Sequence, residues 1–216
     1  MQDKMTSEKR VSYSAQNTYS TFGEYSPKTK NIWLIFHGMG HLSRYFMRHF
    51  SALNQEENVV IAPQAPSKYY QGTEYKHIGA SWLTKEDTLA ETENVLNYMD
   101  AVWQKEAPKT ETRLMVVGYS QGVSIATRWL SSRKIQCDHL VLHSGGIPVE
   151  LRTTDFEYLP SNTEVTLLYG DKDPYINETR VKEEKRKAEM LFGNRLRVQQ
   201  FKGVHEVFSP FFSQIT

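Results

Sequence analysis

Short apolar runs alternate with longer amphipathic segments along most of this chain. The apolar runs are bounded by glycine, proline or polar residues and are rich in β-branched and aromatic side chains, which is typical of strands buried on both faces. Such runs occupy residues 32–36, 59–62, 114–117, 139–143 and 165–169. A more polar segment at residues 196–201 completes the series as the predicted last strand.

Apolar side chains at helical spacing separate these predicted strands. The clearest case is residues 84–106, where apolar residues repeat along one face and charged residues fall on the other. Similar spacing predicts helices at residues 43–54, 123–130 and 178–192, and a short terminal helix that ends near residue 212. For the helix at 178–192, Asn177 is the predicted N-cap and Gly193 the residue that ends it.

Strands that alternate with helices predict a mostly parallel sheet wound on both faces, the α/β class. We therefore interpret residues 10–216 as one domain and residues 1–9 as a disordered terminus. Weak alternation at residues 10–25 indicates a short hairpin or two antiparallel edge strands. A loop of about twenty residues runs from 63 to 82, which is long for a compact domain and indicates that the loop has a function. No long insertion between the predicted strands offers a large lid, so we expect a minimal one.

Size and composition narrow the class of protein further. The 216 residues are enough for one sizeable core, and their 24% of charged residues sum to a net charge of +1 without a basic stripe, which argues against a nucleic-acid partner. No apolar run reaches the roughly 18–20 residues that span a bilayer, so we expect no stable membrane insertion. The polar start predicts no secretory signal, and the single cysteine, Cys137, favours a cytoplasmic location.

The pattern Gly-x-Ser-x-Gly occurs at residues 118–122, between a predicted strand and a predicted helix. In that setting the pattern is typical of the nucleophile elbow of the α/β-hydrolases. A turn this tight needs small residues at both glycine positions, and it presents the hydroxyl of Ser120 beyond the end of the sheet. The alternative interpretation is a glycine-flanked turn whose serine only caps the following helix.

A serine nucleophile needs a general base, and the base needs an acid that holds its tautomer. Asp173 follows the penultimate strand and His205 follows the last strand, so both lie at the edge of the sheet that carries Ser120 and in the order Ser, Asp, His. Asp171 is the rival acid. Among the other histidines, His143 lies between the serine and the acid, which is the wrong order.

The oxyanion of a tetrahedral intermediate needs two preorganised donors. The backbone N–H of Gln121, directly after the nucleophile, is one candidate. The backbone N–H of Met39, in the glycine-rich turn at residues 37–40, is the other. His37 and His41 have no third histidine or carboxylate at a suitable spacing, so we predict no metal site.

Four motifs together resemble the carboxylesterase/phospholipase branch of the α/β-hydrolases, which includes the acyl-protein thioesterases. They are His-Gly-Met-Gly at 37–40, the elbow at 118–122, Gly-Asp-Lys-Asp-Pro at 170–174 and Gly-Val-His-Glu-Val at 203–207. The resemblance implies an α/β-hydrolase fold and a serine esterase with Ser120, Asp173 and His205 as its triad, and no metal or organic cofactor. In one departure, His41 stands where the family usually has aspartate, and in another, the segment from 63 to 81 differs from the thioesterase pattern.

The aromatic residues of the 63–82 segment are candidates for substrate binding. We expect Tyr69, Tyr70 and Trp82 to wall an acyl pocket, and the alternative is that the tyrosines pack on the surface. An open site suits a small-molecule ester with a small to medium acyl group, and a homodimer is compatible with the sequence. Two alternative functions are an acyltransferase that uses the same triad and a non-catalytic ligand-binding homologue.

Overall fold

The described part of the chain, residues 7–106 and 111–216 of this computed structural model, contains nine strands. In chain order they are β1 (Tyr19–Phe22), β2 (Asn31–Phe36), β3 (Asn58–Pro63), β4 (Ser67–Gln71), β5 (His77–Ser81), β6 (Arg113–Tyr119), β7 (His139–His143), β8 (Glu164–Gly170) and β9 (Leu196–Phe201). Seven of them form one sheet in the order β1-β3-β2-β6-β7-β8-β9, in which β1 alone is antiparallel to its neighbour. The predicted mostly parallel sheet is confirmed.

Four α-helices follow the strands in the described residues. They are α1 (Ser43–Phe46), α2 (Thr88–Glu106), α3 (Gln121–Arg133) and α4 (Glu178–Phe192). Asn177 caps α4 as predicted, because its side chain accepts the backbone N–H of Arg180 at 3.0 Å, and Gly193 ends that helix with a positive φ of 54°. Within residues 7–106 and 111–216, no helix is both long and apolar enough to cross a membrane.

Two hydrophobic cores lie on opposite faces of the sheet, because side chains alternate along each strand. In β2, the side chains of Ile32, Leu34 and Phe36 join the core that α2, α3 and α4 cover. Trp33 and Ile35 join the other core, beneath α1, the 3-10 turn that follows it and the C-terminal 3-10 helix Ser209–Gln214. Helices on both faces are therefore confirmed, and the carboxyl ends of the parallel strands share one edge.

The segment from 63 to 82 corrects the prediction of a long loop. Strands β4 and β5 pair antiparallel as a separate two-stranded hairpin, with Tyr69 opposite Gly79 and Gln71 opposite His77. All five residues of β4 are exposed, so this strand has no apolar face. Hydrophobic periodicity therefore gave no strand signal there.

Three further boundaries differ from the predictions. Only β1 forms within residues 10–25, since Val11 and Tyr13 are 87% and 84% exposed and have no apolar surface to pair against. The helix predicted at 84–106 begins at Thr88, because Asp87 adopts a left-handed φ of 46°. The helix predicted at 43–54 divides into α1 and a 3-10 turn over Met47–Phe50.

The terminus predicted to be disordered comprises residues 1–9. Residues 1–6 of it lie outside the described residues.

Candidate active site

The backbone at Ser120 forms the tight turn that the sequence predicts between β6 and α3. Ser120 has φ 52° and ψ −119°, a backbone conformation that residues other than glycine rarely adopt. A Cβ at Gly118 would collide with the backbone of Val123, and one at Gly122 with the carbonyl of Phe36. Both glycines are therefore required for the turn, which places the serine side chain at the carboxyl edge of the sheet.

Three side chains from distant parts of the chain form one hydrogen-bonded series at this edge. The Oγ of Ser120 lies 3.0 Å from Nε2 of His205, and Nδ1 of His205 lies 2.8 Å from Oδ2 of Asp173. An ionised carboxylate can only accept, so Nδ1 carries the proton and donates it to Asp173. Nε2 is then the acceptor that faces the serine hydroxyl, which is the arrangement a general base requires.

Asp173, rather than Asp171, has the structural setting of the orienting acid. Its side chain is fully buried, and its second oxygen, Oδ1, accepts the backbone N–H groups of Tyr175 at 2.9 Å and Ile176 at 3.2 Å. Asp171 is exposed and instead accepts the backbone N–H of Gly203 at 2.9 Å. In the turn after β8, Asp173 therefore binds the imidazole of His205, whereas Asp171 binds the loop that follows β9.

Two aromatic rings and one hydrogen bond hold His205 in place. The hydroxyl of Tyr119 donates to the His205 carbonyl at 3.1 Å, and the imidazole packs against the rings of Tyr119 and Tyr175, with centroids 5.3 Å and 4.8 Å away. Desolvation by burial and the nearby charges of Asp173 and Glu206 raise the pKa of Tyr119, so its hydroxyl stays protonated. His205 is thereby held from both sides.

Two other histidines near the site have structural partners that occupy their ring nitrogens. His143 is fully buried, its Nε2 accepts the backbone N–H of Phe208 at 2.9 Å, and burial lowers its pKa to about 3. Nε2 of His37 accepts the backbone N–H of Ala65 at 3.0 Å, and burial lowers the pKa of His37 to about 4. Across residues 7–106 and 111–216, no three His, Cys, Asp or Glu side chains are grouped as metal ligands.

The backbone N–H groups of Met39 and Gln121 have no protein acceptor among the described residues. Gln121 is the first residue of α3, so its N–H belongs to the unpaired end of that helix. Met39 lies in the turn after β2, and a Cβ at Gly38 would come within 3.1 Å of the Ser120 Cβ. The two predicted oxyanion donors are thus on segments that flank the serine.

The hairpin side of the molecule holds in position the turn at residues 37–40, which carries one predicted oxyanion donor and is called the oxyanion turn below. The backbone N–H of Gly40 donates to the Ala80 carbonyl at 2.8 Å, and the Gln71 side-chain amide donates to the Gly40 carbonyl at 2.9 Å. The indole N–H of Trp82 donates to the His37 carbonyl at 2.7 Å. The sequence analysis did not predict these supporting hydrogen bonds, because no motif distinguishes an amide such as Gln71 from any other exposed polar residue.

The Gln121 side chain links the segment directly after the hairpin to the turn that carries Ser120. Its Oε1 accepts the backbone N–H of Trp82 at 2.8 Å, and its Nε2 donates to the Leu83 carbonyl at 2.6 Å. Gln121 therefore combines an unpaired backbone N–H with a side chain that is anchored to the segment after β5. This anchoring was also not predicted from the sequence.

An open cleft of about 450 Å³ contains Ser120 and His205. Its walls are formed by Met39, the start of α3, the Gly-rich segment after β7 and the residues around the start of α4. The side chains that line it beyond the triad and the oxyanion segments are Ser124, Ser144, Tyr175, Ile176 and Arg180. No segment of the described chain closes over the cleft as a large lid.

Trp82 does not wall this cleft, which corrects the prediction from the sequence. Its side chain is fully buried, where the indole packs against Phe36 and His37 beneath the oxyanion turn. Tyr69 and Tyr70 lie on β4, 39% and 56% exposed, and are not among the residues that line the cleft around Ser120. Their effect on acyl preference stays a prediction.

The comparisons with known proteins agree with this architecture. A family model described as phospholipase/carboxylesterase matches residues 19–216. No curated protein sequence matches the chain. Among solved structures, it is similar to acyl-protein thioesterase 2 of Zea mays, with 13% identity over 93% of this chain and 96% of that one and a TM-score of 0.66.

Two further structures have the same fold. Esterase PE8 is 20% identical over 94% of this chain and 100% of that one, with a TM-score of 0.67. A Bacillus cereus carboxylesterase is 14% identical over 94% of this chain and 96% of that one, with a TM-score of 0.63. At these identities the likeness shows the fold, and the family match supplies the membership. The chain belongs to the phospholipase/carboxylesterase family of α/β-hydrolases.

Proposed function

We propose that the protein is a serine hydrolase that cleaves carboxylic esters or thioesters of small to medium acyl groups through an acyl-enzyme on Ser120. The observation that carries the proposal is the Ser120–His205–Asp173 series, with contacts of 3.0 Å and 2.8 Å at the edge of an open cleft. Family membership supports a hydrolase that acts on esters. The similar structures are of a thioesterase and two esterases, which agrees with that class.

Acylation begins with the proton on the Ser120 hydroxyl. Nε2 of His205 accepts this proton while Oγ bonds to the acyl carbon, and Asp173 stabilises the imidazolium that forms. The carbonyl π electrons move to the oxygen, which becomes the oxyanion. As the tetrahedral intermediate collapses, the bond to the leaving group breaks and Nε2–H gives its proton to the departing oxygen or sulfur.

The oxyanion is stabilised by the backbone N–H groups of Met39 and Gln121 in this mechanism. These donors are unpaired in the described structure, and the hydrogen bonds to Gly40 and the Gln121 side chain fix the two segments that carry them. Donors that are already in place do not need to reorganise as charge develops on the oxygen. The loss of one such donor generally lowers turnover roughly 10²–10³-fold.

Deacylation repeats the same chemistry with water as the nucleophile. His205 takes a proton from water, the hydroxide oxygen bonds to the acyl carbon, and the proton on Nε2 returns to Ser120 as its ester bond breaks. The steps use only this chain's own groups and water. We expect the substrate to be a small-molecule ester and the protein to act in the cytoplasm.

Hydrolysis of p-nitrophenyl esters of increasing acyl length by the wild type and Ser120→Ala tests the proposal. We expect release of p-nitrophenol by the wild type and a loss on the order of 10⁶ in turnover for the variant. Labelling by a fluorophosphonate that Ser120→Ala abolishes would identify the nucleophile. A wild type that is neither active nor labelled would overturn the hydrolase and leave a ligand-binding homologue. Acyl transfer to added alcohols or thiols in preference to water would indicate an acyltransferase.

A further inference from the structure

We propose that Arg180 forms a subsite for an anionic group of the substrate, in the simplest case a carboxylate. This inference rests on the proposed ester hydrolysis and specifies the class of ester. Arg180, in the first turn of α4, lines the same cleft as Ser120 and His205. Among the described residues that line this cleft, Arg180 alone has a permanent charge, and none is Asp or Glu.

A buried carboxylate fixes the position of the guanidinium. Nε of Arg180 donates to Oε1 of Glu184 at 2.8 Å, and Glu184 is 1% exposed. Glu184 also binds the ammonium of Lys187 at 3.1 Å and accepts the backbone N–H of Ile147 at 2.7 Å. One carboxylate is thus shared by two cations, which leaves a net positive charge at this wall of the cleft.

The outer part of the guanidinium remains available to a ligand. The ion pair with Glu184 uses Nε, and 43% of the Arg180 side chain is exposed. The terminal Nη2 lies against Gly146, in the segment after β7, so closely that a Cβ at this position would collide with it. The absence of a side chain at Gly146 therefore lets the charged group lie at the cleft wall, and a guanidinium can bind a carboxylate through two parallel N–H donors.

The other side of the oxyanion turn adds positive charge to the approach. A separate cleft of about 530 Å³ there is lined by Arg44, Arg48 and Lys76. Lys76 is paired with Glu74 at 2.7 Å, so the two arginines supply the excess positive charge at this cleft. A positive field around an active-site cleft increases the rate at which anionic ligands arrive. Both clefts therefore favour an anionic ester over a neutral one.

Matched pairs of esters test the subsite with the full chain. For an anion on the acyl half, the mono-p-nitrophenyl ester of adipic acid is compared with p-nitrophenyl 6-methylheptanoate, in which an isopropyl group replaces the carboxylate. For an anion on the alcohol half, 4-carboxyphenyl butyrate is compared with 4-isopropylphenyl butyrate. The measured quantity is the ratio of kcat/KM for the anionic ester to that for its neutral partner, in the wild type, Arg180→Gln, Arg180→Lys and the control Arg186→Gln on the same helix.

We expect the wild type to prefer the anionic ester in at least one pair. Arg180→Gln should reduce the ratio in that pair roughly ten- to a hundredfold, the range of a charge-assisted hydrogen bond. Arg180→Lys should retain part of the preference, because it keeps the charge but not the paired donors. Arg186→Gln should leave the ratio unchanged, and added salt should lower the wild-type ratio.

The outcomes separate this inference from the function on which it rests. Equal kcat/KM values within both pairs would overturn the subsite while leaving the hydrolase intact. An equal loss on anionic and neutral esters in Arg180→Gln would also overturn it, because the arginine would then act only as a structural partner of Glu184. A wild type that is inactive on all four esters and resists fluorophosphonate labelling would contradict the hydrolase itself.

Discussion

The side-chain amide of Gln71, at the end of a surface hairpin strand, donates a hydrogen bond of 2.9 Å to the carbonyl of Gly40 in the oxyanion turn. The next N–H of the turn, that of Gly40 itself, is held by the Ala80 carbonyl on the partner strand at 2.8 Å. Both hairpin strands therefore hold Gly40, one through the peptide before it and the other through the peptide after it. We infer that these two hydrogen bonds orient the neighbouring Met39 N–H.

Loss of the Gln71 amide should weaken catalysis more than binding. We expect Gln71→Ala to lower kcat roughly three- to tenfold with little change in KM, because about 0.5–1.5 kcal/mol of hydrogen bonding to the turn is lost while the cleft is unchanged. The kinetics of a p-nitrophenyl ester measure this split. Gln200→Ala, at an exposed glutamine of β9, is the matched control. A rise in KM at constant kcat would contradict a positioning role.

The two aspartates of the turn after β8 should differ sharply in kinetics. Asp173→Asn keeps the side-chain shape but favours the wrong tautomer of His205, so we expect a loss in kcat on the order of 10⁴. Asp171→Asn should have a small effect, because Asp171 is exposed and only accepts the Gly203 N–H. Steady-state kinetics of both variants test this assignment. A larger loss in Asp171→Asn would reverse it.

Buried neutral histidines should make the protein less stable in mild acid. Burial lowers the pKa of His37 and His139 to about 4 and that of His143 to about 3, from an ordinary value of 6.5. Between these values the unfolded chain binds more protons than the native chain. The free energy of unfolding should therefore fall as pH decreases from about 6.5, by on the order of 1.4 kcal/mol per pH unit for each such histidine.

Urea unfolding at pH 7.5, 6.5, 5.5 and 5.0 measures this dependence. His139→Asn should have a shallower slope than the wild type over the same range, because one lowered pKa is removed while a polar group remains near the Thr166 hydroxyl, which His139 now contacts at 2.8 Å. Equal slopes in the two proteins would contradict the contribution of His139. A wild type equally stable at pH 7.5 and 5.0 would contradict the general prediction.

Acyl-chain preference should depend on the residues that line the cleft. Tyr175 lines it and packs against His205, so Tyr175→Ala should widen the site and shift the chain-length profile of p-nitrophenyl esters towards longer acyl groups. Tyr69→Ala and Tyr70→Ala test the prediction made from the sequence in the same assay. A shift confined to Tyr175→Ala would overturn the role of the two hairpin tyrosines. A shift in the hairpin variants alone would place the acyl group there.

The central sheet and the reactive side chains follow from local sequence signals. Buried parallel strands are apolar along their whole length, and the motifs that end them fall at one edge because parallel strands share a direction. Ser120, Asp173 and His205 therefore emerge from order and spacing. The structure places them within hydrogen-bonding distance, as that reasoning requires.

The hairpin and its contacts do not follow from such signals. The β4 sequence Ser-Lys-Tyr-Tyr-Gln has no buried face, since its pairing depends on backbone hydrogen bonds to β5 and not on a core. The sequence predicts that Trp82 walls the cleft together with the aromatic residues of its segment, but the burial of Trp82 depends on neighbours from β2 and α3. Long-range packing of this kind leaves no periodic pattern in the chain.

The left-handed backbone of Ser120 implies a trade-off between activity and stability. Such a conformation costs about 1–3 kcal/mol for a residue with a Cβ, whereas glycine adopts it without strain. Replacing alanine by glycine usually destabilises a protein, but here Ser120→Gly should have a higher melting temperature than Ser120→Ala. A lower one would argue against strain. Ser120 therefore lowers the stability of the fold in return for activity. A screen for stability alone would select variants that replace this serine.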